Sequence, residues 1–336
     1  MTSTVDSTFR HLTRLMGPHG LFEHAEHTRP RTEHGYCTDD NARLLLVTSR
    51  EDDTGASADL SRRSLAFVLA AQSPGRGAHN RLDPEGAWTD EATADDCWGR
   101  SLWSLGVAAT HHGDPSVRAA AQAGFDASAP GRASSPRSAA FAALGASEVF
   151  AADPTHTGAE TLLRRALSTI GPVLSPHWCW PEARLTYANA ALAEAVIAAG
   201  TALGSGGDIE RGLQMLDWLL QNELRFGHLS VTPAGGCAVI SRDPSFDQQP
   251  IEVAALADAC VRAHHVTGDR SWLDGVDAAV RWFDGENDAG HPMHDPDSGG
   301  SFDGLHAHGV NRNQGAESTL ALASTHQCAR RLAGSL

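Results

Sequence analysis

The sequence contains no lysine, so all 26 of its basic residues are arginine. Schiff-base catalysis and the phosphate-binding P-loop both require a lysine amine, and both are therefore excluded. Acidic residues number 41, which gives a formal net charge of −15, and the arginines form no clustered run. Because nucleic acid and anionic membranes bind clustered cationic surfaces, we expect neither as a partner.

Paired cysteines and long apolar runs are also missing. The six cysteines lie far apart and form no C-x-x-C pair, so neither a zinc knuckle nor a redox motif is expected. The segment from Met1 to Met16 has no apolar core of a signal peptide, and no run approaches the roughly 18 apolar residues of a membrane span. These absences lead us to expect a cytoplasmic protein with reduced thiols.

A polar or aromatic cluster opens an alanine-rich, nearly all-apolar stretch six times along the chain. The six stretches are DDNARLLLV from Asp39, DDCWGRSLWSLGVAA from Asp95, SPRSAAFAALGASEVFAA from Ser135, LTYANAALAEAVIAAG from Leu185, DQQPIEVAALADACVRAHH from Asp247 and NQGAESTLALASTHQCARRL from Asn313. Each interval of about 40 to 65 residues holds two helices and a loop. Helices that are apolar on all sides are buried, so these six are predicted to form an inner layer.

Between these stretches lie segments with a single apolar stripe. The segment from Asp208 places Leu213, Leu216, Leu220 and Leu224 on one helical face. Similar segments are Ser271 to Gly285, Leu60 to Leu69 and Leu162 to Ile170, and a short helix around Phe9 to Met16 could supply the last outer partner. Helices with one apolar stripe lie on an outer layer, so the alternation predicts an all-α (α/α)6 toroid of six inner and six outer helices.

Alternative architectures fit less well. A linear helical solenoid usually has a tighter repeat and capping units, which are not visible in this sequence. A two-domain split would fall at Ser128 to Pro136, but the alternation continues on both sides, so we interpret that stretch as a loop. The chain is expected to form one domain over residues 1–336, with a core of about 21–332. Residues His228 to Ile240 are a possible hairpin within a loop.

In a ring of alternating helices, all inner helices point the same end to one face, so the polar openings should surround one cavity. These openings are rich in carboxylates, amides and aromatic rings. Carboxylates and amides pair with sugar hydroxyls, and aromatic faces cover the apolar side of a pyranose. We therefore expect a carbohydrate ligand, and carboxylate acid/base cleavage of a glycosidic bond is the reaction that this inventory suits.

Five carboxylates are the candidate catalytic groups: Asp39, Asp40, Asp247, Glu252 and Glu317. Twelve other residues are expected to bind the sugar: Tyr36, Asn41, Arg43, Trp98, Arg100, Glu182, Tyr187, Asn189, Gln248, Gln249, Asn313 and Gln314. Structural roles stay open for the acids. Asp39 and Asp40 could cap a helix, and Glu252 and Glu317 could make structural hydrogen bonds. Neither a cofactor nor a metal is expected, and the leading hypothesis is an inverting glycoside hydrolase.

Histidines offer a rival chemistry. A sugar epimerase or isomerase on the same fold would move protons with two facing imidazoles. The candidates for such a pair are His24, His27, His294, His306 and His308. No H-E-x-x-H helix supports zinc, and no G-x-S-x-G elbow supports a nucleophilic serine. The stretch from Asp295 to His306 has aspartates of a calcium loop but lacks its terminal glutamate, which favours a Gly/Asp turn.

Four motifs carry a resemblance to a known family: GYCTDDNAR, WPEARLTYANA, FDQQPIEVAALADAC and GGSFDGLHAHGVNRNQGAESTLALA. Together they resemble the bacterial glycosidase-like (α/α)6 domain that is often fused behind, or encoded beside, group 4 glycosyltransferases. The resemblance spans about Leu21 to Leu332. It implies a carbohydrate-active toroid and a separate glycosyltransferase as a possible partner, for which the chain could also be a noncatalytic glycan-binding subunit. The chain itself lacks a G-x-G-x-x-G nucleotide-sugar site, so a transferase activity is not expected.

Overall fold

The structure is a computed structural model that describes residues 4–51, 55–73, 75, 77–241 and 243–333. In these ranges the chain forms twelve α-helices. They are α1 (Thr4–Leu15), α2 (Thr38–Ser49), α3 (Gly55–Ala71), α4 (Asp96–His111), α5 (Pro115–Ser128), α6 (Pro136–Ala152), α7 (Thr157–Ile170), α8 (Ala190–Ala202), α9 (Gly206–Glu223), α10 (Pro250–Thr267), α11 (Ser271–Phe283) and α12 (Ala316–Ala333). None of these helices is both long and apolar enough to cross a membrane.

The even-numbered helices form a closed inner ring. Each packs against the next even-numbered helix, and α12 returns to α2. The odd-numbered helices pack outside them, with α3, α5, α7, α9 and α11 each against the helix that precedes it and α1 against α12. The predicted (α/α)6 toroid is therefore confirmed, and all six polar openings lead into inner helices. The sequence analysis did not single out α5.

Burial follows the two layers. Residues 190–200 of inner helix α8 are all buried, whereas outer helix α9 buries only five of its residues. Of the predicted leucine stripe, Leu216 is buried, and Leu213, Leu220 and Leu224 pack partly buried against the core. The other buried residues of α9 are Gly212, Met215, Leu219 and Glu223. A side chain at Gly212 would meet the backbone of Ile197, so the absence of a Cβ lets α9 approach α8 at this point.

Alanine and glycine in the inner helices allow the backbones of neighbouring helices to approach closely. A Cβ atom at Gly106 would meet the backbone of Gly145, and one at Gly145 would meet the carbonyl oxygen of Leu102. Helices α4 and α6 therefore touch backbone to backbone, which larger side chains would prevent. The same requirement explains why the inner stretches are rich in alanine.

Local signals set several helix ends. The hydroxyl of Ser135 accepts a hydrogen bond from the backbone N–H of Ser138 and so caps α6, which begins with Pro136. Helix α10 begins with Pro250 and ends at Gly268, whose left-handed φ of 70° suits glycine. These residues fix where the inner helices start and therefore which side chains face the end of the ring.

Short two-stranded ribbons decorate the loops. The strands are β1 (Ala25–Glu26), β2 (Arg29–Pro30), β3 (Tyr36–Cys37), β4 (Gln72–Ser73), β5 (Gly77–Ala78), β6 (Arg81–Leu82), β7 (Leu224–Arg225), β8 (His228–Leu229), β9 (Gly304–His306) and β10 (Gly309–Asn311). Antiparallel pairs join β1 to β2, β3 to β6, β4 to β5, β7 to β8 and β9 to β10. A short 3-10 helix covers Thr32–His34.

Two loop predictions have different outcomes. The stretch from Ser128 to Pro136 connects α5 to α6, as expected of a loop. The expected hairpin over His228 to Ile240 was wrong, because β8 pairs with the preceding strand β7 instead. Beyond β8, Cys237 bridges to Leu185 and Pro233 bridges to Gln248, so this segment pairs with other loops rather than with itself.

Candidate functional site

A cavity of about 380 Å³ lies where the N-terminal ends of inner helices meet. Helices α2, α4, α10 and α12 contribute their first turns, and the loop before α8 contributes Tyr187. The opening of α6 contributes no lining residue. The lining is dominated by charged groups, with six carboxylates and three guanidinium groups. It consists of Glu23, His24, Cys37, Asp39, Asp40, Arg43, Arg81, Asp96, Arg100, Tyr187, Gln249, Pro250, Asp303, Gly315, Glu317 and Ser318.

The first turn of α2 is anchored so that its polar side chains reach this cavity. The Sγ atom of Cys37 accepts a hydrogen bond from the backbone N–H of Asp40 and caps the helix. The Asn41 side chain accepts from the backbone N–H of Leu21 at 2.9 Å and donates to the carbonyl oxygens of Leu21 and Cys37. Since Asn41 ties the helix to the preceding loop, the orientation of Asp40 and Arg43 is fixed.

One guanidinium group connects two carboxylates of the cavity. Nη1 of Arg43 lies 2.6 Å from Oδ1 of Asp40, and its Nη2 lies 2.6 Å from Oε2 of Glu317. Both contacts involve the same small planar group, so the two carboxylates are less than about 10 Å apart, which a pair acting on one glycosidic bond requires. The side chain of Asp40 is 3% exposed and that of Glu317 is 43% exposed. The pair therefore combines a buried carboxyl group with one that meets solvent.

Asp40 has the electrostatics of a general acid. Burial raises its pKa to about 7, because the surroundings solvate its charge poorly. The guanidinium of Arg43 lowers the pKa, and the carboxylates of Glu317 and Glu23 raise it. A proton therefore stays on Asp40 at weakly acid pH, where an ordinary aspartate would have lost it.

Arg100 is a second buried cation at the cavity. Its side chain is 3% exposed, and its Nε lies 3.3 Å from Oδ1 of Asp39. Neither Nε nor Nη2 has a hydrogen-bond partner among the described residues. The guanidinium lies 3.9 Å above the ring of Phe141, and burial together with Arg43 lowers its pKa to about 10. The two unpartnered nitrogen atoms are themselves buried, so what Arg100 presents to the cavity is its positive charge.

Asp303 positions the start of α12. Its Oδ1 accepts hydrogen bonds from the backbone N–H of Gly315 at 2.8 Å and from the hydroxyl of Ser318 at 2.6 Å. Burial raises the pKa of Asp303, although both hydrogen bonds oppose that rise. Because these contacts flank Glu317, they hold its backbone beside the cavity. The preceding segment forms a turn, in which Asp295 accepts a hydrogen bond from the N–H of the residue two positions later.

Seven of the residues expected from the sequence line the cavity: Asp39, Asp40, Arg43, Arg100, Tyr187, Gln249 and Glu317. The structure thus brings together side chains from three inner helices, from the residue before α10 and from the loop before α8. Their roles in binding or catalysis stay predictions. Tyr187 is 37% exposed, and the guanidinium of Arg137 lies over its ring, 5.2 Å from the ring centroid.

Two candidate acids lie outside this lining. Oδ1 of Asp247 pairs with Nδ1 of His306, and the Asp247 side chain is 51% exposed. Glu252 is buried and accepts hydrogen bonds from the backbone N–H groups of Ala188 and Asn189 and from the Asn189 amide. Burial raises the pKa of Glu252 to about 8, although these hydrogen bonds lower it. Its contacts tie α10 to the start of α8.

Three other residues that were expected to bind the sugar contact protein groups outside the cavity lining. Tyr36 is buried and stacks on Phe22 with ring centroids 4.4 Å apart. Trp98 is buried and donates from its indole N–H to the carbonyl oxygen of Ser128. Glu182 forms an ion pair with Arg137 at 2.6 Å. Side chains of these three residues therefore stabilise the walls behind the cavity.

The remaining expected amides hold loops together. Asn41 ties α2 to the preceding loop as described, and Oδ1 of Asn189 accepts hydrogen bonds from the Thr186 N–H and from Arg137. Gln248 is buried and donates to Asp288, and Gln314 is buried between its partners Ser298 and Asp295. Oδ1 of Asn313 accepts from the backbone N–H of His27. These amides contact protein groups, because the loop backbones around the ring need hydrogen-bond partners.

The histidines do not form a facing pair in the cavity. His24 is the single candidate among the described lining residues, and its Nδ1 lies 3.1 Å from Nδ1 of His34 outside the lining. His294 pairs with Asp284 at 3.3 Å, and His306 pairs with Asp247. The remaining candidates, His27 and His308, are exposed.

One group of described residues has the spacing of metal ligands. Donor atoms of Glu23, Cys37 and Asp40 lie within 4.8 Å of one another. Sγ of Cys37 is 3.2 Å from Oδ2 of Asp40, to which the thiol donates, and Glu23 pairs with Arg81. Burial and nearby carboxylates raise the pKa of the thiol well above its ordinary value, so it keeps its proton and is a poor ligand. We interpret the group as a hydrogen-bonded cluster.

Sequence reasoning missed several lining residues, among them Glu23, Arg81 and Ser318. Arg81 lies in the two-residue strand β6, opposite Cys37 of β3, and pairing of such short strands leaves no periodic pattern. Ser318 follows Glu317, but adjacent helical residues point in different directions, so their adjacency gave no signal. Glu23 lies in an irregular loop, where its partner Arg81 is distant in sequence.

No family model matches this sequence, and no curated protein matches it significantly. Solved structures do match it over nearly their whole length. A sugar epimerase from a ruminal bacterium has a TM-score of 0.70 at 12% identity, and the match covers 98% of this chain and 99% of that chain. The likeness is one of fold. An α-mannanase of glycoside hydrolase family 76 from Bacteroides thetaiotaomicron has a TM-score of 0.67 at 10% identity, with 98% and 96% covered. A cellulase from C. cellulolyticum, solved with cellobiose, has a TM-score of 0.65 at 10% identity, with 99% and 100% covered.

Proposed function

We propose that this protein is a glycoside hydrolase whose reaction takes place in the cavity at the N-terminal ends of the inner helices. The observation that carries the proposal is the contact of Arg43 with both Asp40 and Glu317. It places two carboxyl groups of different exposure close together at an open cavity. The structural neighbours support a carbohydrate-active enzyme, since their names describe a mannanase, a cellulase and sugar epimerases.

In the proposed reaction Asp40 is the general acid and Glu317 is the general base. Asp40 gives its proton to the glycosidic oxygen as the bond from that oxygen to C1 breaks. Glu317 takes a proton from a water molecule whose oxygen attacks C1 from the opposite face. The products are a free hydroxyl on the leaving group and a sugar of inverted anomeric configuration. Inversion is the proposed outcome, and the anomer of the first product distinguishes it from retention.

The other polar lining residues would bind the sugar. Tyr187 presents an exposed aromatic face, which covers the apolar side of a pyranose ring. Arg100 supplies a buried positive charge at the cavity, and Asp39 and Gln249 offer acceptors for hydroxyl protons. The cavity volume of about 380 Å³ suits a small number of sugar residues. A bacterial oligosaccharide or polysaccharide end is therefore the proposed substrate.

A sugar epimerase or isomerase is the second candidate function. Its support is the fold, because sugar epimerases match this chain as well as glycosidases do. Proton transfer at a carbon would need two facing bases, and His24 is the single candidate histidine in the described lining. The paired carboxylates favour hydrolysis over this alternative. A noncatalytic glycan-binding role beside a separate glycosyltransferase is a third candidate, resting on the sequence motifs.

The decisive experiment combines a substrate panel with anomer analysis. Purified protein is incubated with mannosides, glucosides and other oligosaccharides, and the first product anomer is identified by NMR. We expect cleavage with inversion, and we expect Asp40→Asn and Glu317→Gln each to lower kcat by about 100-fold or more, because each removes an acid or base. Folding of both variants is checked by circular dichroism, and Glu33→Gln, whose side chain is 69% exposed, is the charge-matched control.

Each other outcome contradicts a stated part of the proposal. Cleavage with retention would refute the assignment of Glu317 as a base that activates water. Conversion of one sugar into its epimer without cleavage would replace the hydrolase with the second candidate. Glycan binding that is equal in the wild type and in both variants, with no turnover, would support the noncatalytic role.

A further inference from the structure

A second cavity, of about 440 Å³, lies at the opposite face of the ring. It is formed near the C-terminal ends of inner helices, with contributions from α2, α4, α6, α8, α10 and α12. Four carboxylates and three guanidinium groups are among its lining residues. Glu194 and Asp258 lie inside helices α8 and α10 rather than in their last turns.

Glu194 is the least satisfied of these carboxylates. The residue is 2% exposed, and its Oε1 accepts a hydrogen bond from Nε of Arg262 at 3.0 Å. Its Oε2 has no hydrogen-bond partner among the described residues. Arg262 cannot compensate fully, because its Nη2 is bonded to Glu148 at 3.1 Å. A buried carboxylate oxygen at the cavity thus lacks a donor.

A second buried carboxylate adds to the negative charge. Asp258 is 8% exposed, with its Oδ1 2.8 Å from Nη1 of Arg50 and its Oδ2 accepting from the hydroxyl of Ser324 at 3.0 Å. Burial raises the pKa of Glu194 to about 7, and Asp258 raises it further while Arg262 lowers it. The two carboxylates therefore repel each other across the lining, and a positive ligand would relieve that repulsion.

We propose that this second cavity binds a small primary amine, whose ammonium group donates hydrogen bonds to Oε2 of Glu194. An ammonium group supplies both the missing donor and a positive charge, whereas a hydroxyl supplies the donor alone. The cavity volume accommodates an amine of several carbon atoms, and its valine side chains Val107, Val261 and Val266 can contact the alkyl part. This site is distinct from the proposed sugar site and does not depend on the hydrolase assignment.

The test is binding of 1,4-diaminobutane to the full chain, measured by isothermal titration calorimetry at neutral pH. We expect a dissociation constant of about 1 mM or below, and a loss of about tenfold or more in Glu194→Gln, which keeps the shape and removes the charge. Glu223→Gln is the matched control. Glu223 is another carboxylate with 3% exposure, but it accepts hydrogen bonds from Thr232 and does not line the cavity, so amine affinity should not change.

Neutral and metal probes decide between ligand classes. Equal binding of 1,4-butanediol would overturn the proposal in favour of a polyol, and competition by equimolar potassium chloride would overturn it in favour of a metal cation. Equal binding of tetramethylammonium would show that N–H donors are not used and would also overturn it. Absence of amine binding at millimolar concentration, or unchanged affinity in Glu194→Gln, has the same consequence. The comparison of diamine with diol uses the unmodified protein, so it stands even if a variant does not fold.

Discussion

Removal of the Glu317 charge should lower the pKa of Asp40. In the wild type, Arg43 is shared between the two carboxylates at 2.6 Å each, and the negative charge of Glu317 raises the pKa of Asp40. In Glu317→Gln the like charge is lost, and Asp40 keeps the guanidinium to itself. Both changes favour the ionised form of Asp40, so its pKa falls from about 7.

The size of this shift follows from Coulomb's law. A like charge about 7 Å away contributes about 1 kcal/mol at an effective dielectric constant of about 40, which corresponds to about one pKa unit. The high dielectric constant is appropriate because the Glu317 side chain is 43% exposed and is screened by solvent. We therefore expect the pKa of Asp40 to be near 6 in the variant, as an order-of-magnitude value.

The same titration affects the free energy of unfolding. The folded-state pKa of Asp40 is above its ordinary value, so between about pH 4 and pH 7 the folded protein holds a proton that the unfolded chain has released. Stability contributed by this proton is present at low pH and is lost as the pH rises through the folded-state pKa. In Glu317→Gln the loss should end about one pH unit lower and should be smaller by about 1 kcal/mol.

The assay is an NMR titration of aspartate side-chain carboxyl carbons in protein labelled with carbon-13. The Asp40 signal is assigned by its disappearance in Asp40→Asn, and its midpoint is compared between the wild type and Glu317→Gln. Glu33→Gln removes an equal charge outside the cavity and should leave the midpoint unchanged. A wild-type midpoint below about 5, or an unchanged or raised midpoint in Glu317→Gln, would refute this account of the carboxylate pair.

Two further substitutions test the site and the ring. Tyr187→Ala should raise KM by about fivefold with little change in Tm, because it removes a stacking face worth about 1 kcal/mol. Phe226→Ala, at a 75% exposed ring outside the cavity lining, should leave KM unchanged in the same steady-state assay. Gly145→Ala should lower the free energy of unfolding in urea by about 1 to 3 kcal/mol, because its Cβ would meet the carbonyl oxygen of Leu102. Gly207→Ala, with no atom within 4 Å of the added Cβ, is its control, and an equal effect of the two would contradict the close helix approach.

Helix packing was the most predictable part of this protein. Alanine-rich helices that are apolar on all sides must lie in the inner layer, and helices with one apolar stripe must lie in the outer layer. The alternation of these two patterns along the sequence therefore predicted the toroid. Outer helix α5 was missed, because its stretch from Pro115 is rich in alanine and has only two large apolar side chains, Val117 and Phe125, on its buried face. The leucine stripe predicted for α9 packs against the core, but Gly212 was missed, because it faces α8 without an apolar side chain.

The sequence predicted where the site lies better than it predicted which side chains line it. Asp39, Asp40 and Glu317 lie in first turns of inner helices, so their position near the end of the ring followed from topology. Glu252 also lies in a first turn, but hydrogen bonds with Ala188 and Asn189 turn it toward the neighbouring helix instead of the cavity. Sequence position could not distinguish these two orientations, because the partners belong to a different part of the chain.

By itself the sequence determined the alternation of helices, the end of the ring at which polar groups gather and the absence of any lysine chemistry, since all three depend on local pattern or composition. Tertiary structure alone decided that Arg43 joins Asp40 to Glu317 and that Arg81 and Glu23 meet beside them. Except for Arg43 and Asp40 within one helix turn, those contacts join residues that are far apart in sequence. Their geometry is therefore fixed by closure of the ring, which no local pattern encodes.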